Sequence, residues 1–275
     1  MASDFDPGTQ VRPNTPFGAP SRPDVLDLIS ADYDQPPGTP SPQTLIICAA
    51  PRTGSTELSR LLTAAGLGVP HEYFNPQWAP LLAARWSLGQ SPLEAQHIGA
   101  YIEALRSRRA RGGLFASKLQ FWQFTASLRN MHGEALLRNA RVIYLFRPDI
   151  VAQLASFRAS LATGQWDFSN RKTSDPIDAG FEQAMWALDT LIAEDAGFRR
   201  LFALLEIRPT FLTLDDISRR PREVVDTIAR MFDLPVDHAK LTQILATSAP
   251  YPRHDESPAS GDHSQAFKRC VFPNP

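Results

Sequence analysis

The stretch Thr44-Leu-Ile-Ile-Cys-Ala-Ala-Pro-Arg-Thr-Gly-Ser-Thr56 decides the fold, because a continuous apolar run passes directly into a polar loop. An apolar run without alternation is typical of a strand that is buried on both faces of a parallel sheet. Beyond the loop, apolar residues recur at helical spacing and end at a glycine in the C-terminal cap position: Leu58, Leu61, Leu62, Ala65 and Gly66. The segment therefore predicts a strand, a loop and a helix in succession.

The same succession recurs further along the chain. Residues 113–118, 141–146 and 209–214 predict three more strands, and helices are predicted from Asp149 to Ala162 and from Pro221 onward. Strands that alternate with helices favour an α/β fold. We therefore predict a P-loop-like parallel β-sheet that is flanked by helices on both faces.

Three segments stand outside this alternation. Residues 1–42 hold nine of the 24 prolines, and proline lacks the N–H that helices and sheets need, so we expect residues 1–43 to form a tail or a wrapping arm. Residues 44–275 are predicted to form one domain. Within it, residues 75–111 and 250–275 are expected to be irregular lid segments over the ligand crevice at the carboxyl ends of the strands.

Composition narrows the possible partners. The formal net charge is −1, which argues against nucleic acid or an anionic membrane as a partner. The two cysteines, Cys48 and Cys270, lie far apart and imply neither a disulfide framework nor a zinc site. The sequence has no apolar run long enough to span a bilayer and no signal-peptide pattern near its start, which predicts a cytoplasmic protein.

The loop between the first strand and the first helix is a candidate phosphate site. Backbone N–H groups and the positive end of the helix dipole favour an anion there, and Gly54 lets the backbone approach it closely. The loop departs from the nucleoside-triphosphatase pattern, because Ala49 and Ser55 stand where that pattern has glycine and lysine. An ordinary strand-to-helix turn with Ser/Thr capping is the alternative. The side chains available as donors are Arg52, Thr53, Ser55 and Thr56.

A second anion site is predicted where the third strand ends. Arg147 follows that strand, and Ser156 lies two turns along the next helix, so a monophosphate fits between them. The alternative is that Arg147 pairs with Asp149 while Ser156 faces solvent. Two separate anion sites suit a donor with a 5′-phosphate and a distinct 3′-phosphate. A nucleoside triphosphate does not have that shape.

These motifs resemble the sulfotransferase superfamily, and more narrowly the bacterial trehalose 2-sulfotransferase-like family. The resemblance rests on short segments that follow one another in the expected order over most of residues 44–170 and continue into the C-terminal half. They are residues 51–58, 71–74 (His-Glu-Tyr-Phe), 117–119 (Ser-Lys-Leu), 147–157, 164–166 (Gly-Gln-Trp) and 214–217 (Leu-Asp-Asp-Ile).

The resemblance implies a metal-free, typically dimeric enzyme that moves a sulfuryl group from 3′-phosphoadenosine 5′-phosphosulfate to a hydroxyl. The acceptor would be a sugar, a glycolipid or another small molecule. It places the 5′-phosphosulfate on the loop from Arg52 through Glu57, the 3′-phosphate on Arg147 and Ser156, and the general base at Glu72. The chain departs from the family pattern at residues 253–256 (Arg-His-Asp-Glu), where the family has an Arg-Gln-x-Asp-like element.

The residues themselves suggest how such a reaction would run. Lys118, at the end of the second strand, can reach the sulfonate or the bridging oxygen. Glu72 is flanked by aromatic residues, so we expect an apolar wall to raise its pKa toward neutrality. The alternatives are a solvent-facing Glu72, or His71 as the base.

Two other functions remain open from the sequence. One is a P-loop-like kinase that uses a nucleoside triphosphate, and the other is a non-catalytic nucleotide-binding module. Four arginines cluster at a predicted helix C-terminus, where cations complement the helix dipole, and we expect them to be exposed to solvent: Arg106, Arg108, Arg109 and Arg111.

Overall fold

A computed structural model describes residues 29–163 and 181–247 of the chain. The predicted features at residues 1–28, 164–166 and 250–275 lie outside the described residues. The strands are β1 (Gln43–Ala49), β2 (Leu114–Leu119), β3 (Arg141–Phe146) and β4 (Thr210–Thr213). The helices are α1 (Ser55–Ala64), α2 (Ala79–Arg85), α3 (Ile98–Arg108), α4 (Met131–Arg138), α5 (Ile150–Thr163), α6 (Phe181–Leu205), α7 (Leu214–Arg219), α8 (Pro221–Phe232) and α9 (His238–Thr247). A helical turn, Phe121–Gln123, continues into a π-helical turn, Phe124–Leu128.

All four strands run parallel, in the order β2-β1-β3-β4. β1 lies inside the sheet, with Gln43 opposite Leu114 of β2 and Leu45 opposite Arg141 of β3. The predicted α/β fold with a helix-flanked parallel sheet is confirmed. Because parallel strands end at the same edge, the loop after β1, Lys118 near the end of β2 and Arg147 after β3 all lie at that edge.

The two faces of the sheet carry separate hydrophobic layers. Alternate side chains of β1 point to opposite faces, as strand geometry requires. Leu45, Ile47 and Ala49 join the layer beneath α1, α8 and α9, while Ile46 and Cys48 join the layer beneath α2, α3, α4 and α6. Burial on both faces explains why β1 reads as a continuous apolar run rather than as an alternating one.

Residues 75–111 differ from the lid that the sequence predicts. They contain α2 and α3, and most of their apolar side chains are part of the core on one face of the sheet. The reason is the number of large apolar residues in this segment, which a lid would leave exposed to water. The buried members are Trp78, Ala79, Leu82, Ala83, Trp86, Ile98, Tyr101, Ile102 and Leu105.

A buried arginine forms one of the contacts that hold the chain before β1 in place. Arg109 was predicted at a solvated helix end, and this is wrong, because its side chain is fully buried. Its Nη1 atom donates to Asp34 Oδ1 at 2.9 Å and to Ser30 O at 3.1 Å, and its Nε atom donates to the Tyr73 hydroxyl at 3.0 Å. A buried guanidinium needs such partners, since an unpaired buried charge is costly.

Candidate active site

The loop after β1 has a backbone that suits an anion. α1 begins at Ser55, and its N-cap is Gly54, which has no side chain to cap the helix. The first helical hydrogen bond runs from Leu58 N to Gly54 O at 3.0 Å, so the helix leaves the amides of residues 55–57 without an intrahelical acceptor. This is the arrangement in which a helix N-terminus binds phosphate.

Gly54 is required by both conformation and space. Its φ is +91°, in the left-handed region, and a Cβ atom there would lie 2.7 Å from Leu214 Cδ1. Leu214, the first residue of α7, therefore packs directly against the loop, and its side chain would have to shift to make room for a larger residue.

Arg52 and Ser156 connect the two predicted anion sites. Arg52, at φ +67°, directs its Nε atom to Ser156 Oγ at 2.9 Å. Buried Gln153, one turn earlier on α5, donates to Pro51 O at 2.7 Å. Thr53 is also buried and donates to Ala50 O at 3.0 Å. α5 is therefore fastened to the loop, and the two sites share one surface.

Arg147 follows β3 and is half-buried at the same edge of the sheet. Asp149, its predicted alternative partner, accepts a hydrogen bond from Ala152 N at 2.9 Å and so caps the start of α5.

Glu57, in the first turn of α1, has its Oε2 atom 3.7 Å from Arg60 Nη1. Burial raises the pKa of Glu57, and this effect outweighs the opposing charge of Arg60.

Glu72 lies beside the end of β2. The backbone of His71 accepts a hydrogen bond from Lys118 N at 2.9 Å and pairs with Ser117 as a short extension of the sheet. This pairing places Glu72, whose side chain is 21% exposed, at the carboxyl edge of the sheet. The Lys118 ammonium lies 3.5 Å from Glu72 Oε1 and 3.3 Å from Thr56 Oγ1. One cation thus contacts both the loop and the carboxylate.

Three side-chain amides surround the Glu72 carboxylate. Gln123 Nε2 donates to Oε2 at 2.8 Å, Asn75 Nδ2 lies 3.3 Å from the same oxygen, and Gln120 Nε2 lies 3.5 Å from Oε1. Burial by itself would raise the pKa of Glu72. The charges of Lys118 and His71, with hydrogen bonds from two of the amides, outweigh burial and hold that pKa below its ordinary value.

The expected rise of the Glu72 pKa toward neutrality is therefore wrong. The aromatic neighbours that suggested it, Tyr73 and Phe74, turn into the core and are fully buried. Buried His71 also packs against aromatic rings, those of Tyr73 and Trp78. Polar side chains from β2, from the turn after it and from Asn75 surround the carboxylate instead.

A comparison with protein families identifies the family to which the chain belongs. The family model described as Stf0 sulphotransferase matches residues 44–250, which span the sheet, the loop and the helices around them. The chain belongs to this family. This is the trehalose 2-sulfotransferase family that the sequence motifs resemble, and membership makes the protein a sulfotransferase. No curated protein matches the chain.

Some contacts in this sulfotransferase had little or no signal in the sequence. Asn75, Gln120 and Gln123 belong to no motif, and only the structure shows that their side-chain amides surround Glu72. Gln120 alone had an indirect signal, since it follows the carboxyl end of a predicted strand.

Within residues 29–163 and 181–247, no helix is long and apolar enough to cross a membrane.

Proposed function

We propose that this sulfotransferase moves a sulfuryl group from 3′-phosphoadenosine 5′-phosphosulfate to a hydroxyl of a sugar, a glycolipid or another small acceptor, with Glu72 as general base. One observation carries the proposal. The Lys118 ammonium lies between Thr56 of the anion loop and the Glu72 carboxylate, at 3.3 Å and 3.5 Å. A group held on the loop is thereby next to a carboxylate that can take a proton from an attacking hydroxyl.

The loop suits the 5′ end of the donor. The amides of residues 55–57 supply N–H donors, and Thr53, Gly54, Ser55 and Thr56 form the turn that presents them. Glu57 would contribute through its backbone N–H, because a carboxylate repels a phosphate. Arg52 adds a positive charge that stabilises the leaving 5′-phosphate.

The 3′-phosphate belongs beside α5. The Ser156 hydroxyl already accepts a hydrogen bond from Arg52 Nε at 2.9 Å, and Arg147 directly follows β3 at the same edge of the sheet. A phosphate there would gain a guanidinium and a hydroxyl, which is a charge-assisted arrangement. An unsubstituted 3′-hydroxyl would leave those donors without an anion.

The bond changes assign the roles of Glu72 and Lys118. As the acceptor oxygen bonds to sulfur, its proton passes to a Glu72 oxygen, and the bond from sulfur to the 5′-phosphate oxygen breaks. Lys118 stabilises the negative charge on the sulfonate and bridging oxygens. The released product is adenosine 3′,5′-bisphosphate. We propose no metal for this step, since the charge is stabilised by arginine, lysine and backbone amides.

The test is transfer of radiolabelled sulfate from the donor to a panel of sugars, glycolipids and phenols, with and without a chelator. We expect labelled product in the presence of the chelator, and thermal stabilisation of the protein by adenosine 3′,5′-bisphosphate. At a bisphosphate concentration of about a hundred times Kd, the gain is about 2.7 kcal/mol. Protection by ATP with Mg²⁺ and none by the bisphosphate would instead support the kinase alternative.

A further inference from the structure

The turn that follows β2 places a neutral amide against the Glu72 carboxylate. Gln123 is fully buried, although it carries a polar side chain. Its Nε2 atom donates to Glu72 Oε2 at 2.8 Å, the shortest contact of the three amides. Burying an amide is unfavourable unless its hydrogen bonds are made, so this position is built around two defined partners.

The second partner fixes the orientation of the Gln123 amide. Gln120 N donates to Gln123 Oε1 at 3.2 Å in a capping box that closes the turn. A backbone N–H can only donate, so the carbonyl oxygen of Gln123 must face it. The –NH₂ group is then left to face Glu72.

The turn itself is held by α6. The carboxylate of buried Glu194 accepts hydrogen bonds from Phe121 N at 2.6 Å and from Trp122 N at 2.9 Å. Gly197, one turn further, lets the Phe121 ring lie on the helix, because a Cβ at that position would be 2.3 Å from Phe121 Cε1. These contacts fix the backbone of the turn from which the Gln123 side chain reaches Glu72.

We propose that Gln123 is a positioning residue that fixes which way the Glu72 carboxylate faces and favours its charged form. A hydrogen bond donated to a carboxylate favours its charged form. Among residues 29–163 and 181–247, the charged and titratable groups that face Glu72 are Lys118, from β2, and His71, from its own loop. The other groups that donate to it are neutral amides. The proposal rests on Glu72 as the base, but the contact itself can be measured separately.

The experiment measures the pKa of the Glu72 carboxyl directly, by carbon NMR of protein labelled at glutamate, with Glu72→Gln to assign the signal. In Gln123→Met, which cannot donate, we expect this pKa to rise by about one pH unit. The acid limb of the single-turnover rate should move by the same amount, while the titration of adenosine 3′,5′-bisphosphate stays unchanged. Gln96→Met is the matched control, since it removes an exposed contact of the same type, from Gln96 Nε2 to Glu94 Oε2 at 2.6 Å.

A second variant covers the case in which Gln123→Met does not fold. Gln123→Glu keeps the shape and the acceptor for Gln120 N, but it sets a carboxylate against Glu72, so the pair should take up its first proton at a higher pH than wild-type Glu72 does. An unchanged Glu72 pKa in either folded variant overturns the proposal. If Glu72→Gln transfers sulfate at the wild-type rate, the base assignment fails, and the NMR titration still decides the role of Gln123.

Discussion

Arg52 Nε donates to Ser156 Oγ at 2.9 Å, across 104 residues of sequence. The sequence suggests these two residues as members of separate anion sites, one on the loop after β1 and one on α5. In the proposed complex, the 5′-phosphosulfate and the 3′-phosphate of the donor would therefore be bound by side chains that contact each other. A substitution in one of these sites should therefore also affect binding in the other.

Arg147→Ala should weaken binding of adenosine 3′,5′-bisphosphate by about 2–4 kcal/mol, through loss of a charge-assisted contact to the 3′-phosphate. Calorimetric titration measures the loss. Arg141→Ala is the control, because Arg141 is exposed at the opposite end of the same strand. The variant should also lose its preference for the bisphosphate over adenosine 5′-phosphate. If it keeps that preference, the 3′-phosphate is bound elsewhere.

Glu72→Gln should lower the chemical step by about 10²–10⁴-fold while binding of the bisphosphate stays within experimental error. Glutamine has nearly the same shape and can still accept from Gln123, but it cannot take a proton from the acceptor. Single-turnover transfer gives the rate. A wild-type rate would remove Glu72 from the mechanism and make His71 the next residue to test, whereas lost donor binding would indicate a structural role.

The pH dependence follows from the direction of the Glu72 pKa. Since this pKa lies below its ordinary value, the ionised base is present throughout neutral pH, and Glu72 should limit the rate only in acid, below the ordinary range of a glutamate carboxyl. The same shift stabilises the fold above the unfolded-state pKa, and that contribution is lost as the pH falls through the folded-state pKa. Single-turnover rates at stepped pH check this. A loss of rate between pH 6 and 8 that Glu72→Gln abolishes would show that the carboxyl titrates near neutrality.

Gly54→Ala should destabilise the fold and weaken bisphosphate binding. The new Cβ would meet Leu214 Cδ1 at 2.7 Å and would also stand at a φ of +91°. Gly66→Ala separates the two effects, because Gly66 has a φ of +80° but no atom within 4 Å of such a Cβ. We expect about 1–2 kcal/mol for Gly66→Ala in urea unfolding, and a larger loss for Gly54→Ala. Equal losses would show that α7 does not press on the loop.

Asp34→Ala should cost about 3–5 kcal/mol of unfolding free energy, because it leaves the fully buried Arg109 guanidinium without its carboxylate. Arg85 Nη1 and Trp86 Nε1 also lose an acceptor, at 3.1 Å and 2.8 Å from Asp34 Oδ2. Asp32→Ala, an exposed change in the same segment, should stay within about 0.5 kcal/mol. Urea unfolding compares them, and similar losses for both would mean that the buried pair contributes little.

The sequence predicted the sheet well because parallel strands leave a strong signal. β1 and β3 are short apolar runs between polar loops, and the residues after each strand meet at one edge by topology alone. That rule places the loop, Lys118 and Arg147 at one edge of the sheet. Helical spacing predicts Ser156 beside Arg147, and the structure sets the Ser156 hydroxyl against Arg52 Nε at 2.9 Å.

The surroundings of Glu72 could not be predicted in the same way. Sequence shows the aromatic neighbours Tyr73 and Phe74, but not that their rings turn into the core and leave the carboxylate to amides from another segment. Arg109 shows the same limit. Its burial depends on Asp34, 75 residues earlier, and no local pattern records that pairing. Long-range polar contacts decide both cases.

The position of β1 also matters while the chain is being made. β1 is synthesised first, yet both of its neighbours come much later, since Leu45 pairs with residue 141 and Gln43 with residue 114. At about 5–20 residues per second, a ribosome needs several seconds or more to supply β3. Until then the strand's apolar run has no sheet to enter, and a nascent chain that stalls before residue 146 should be prone to aggregate and to recruit chaperones.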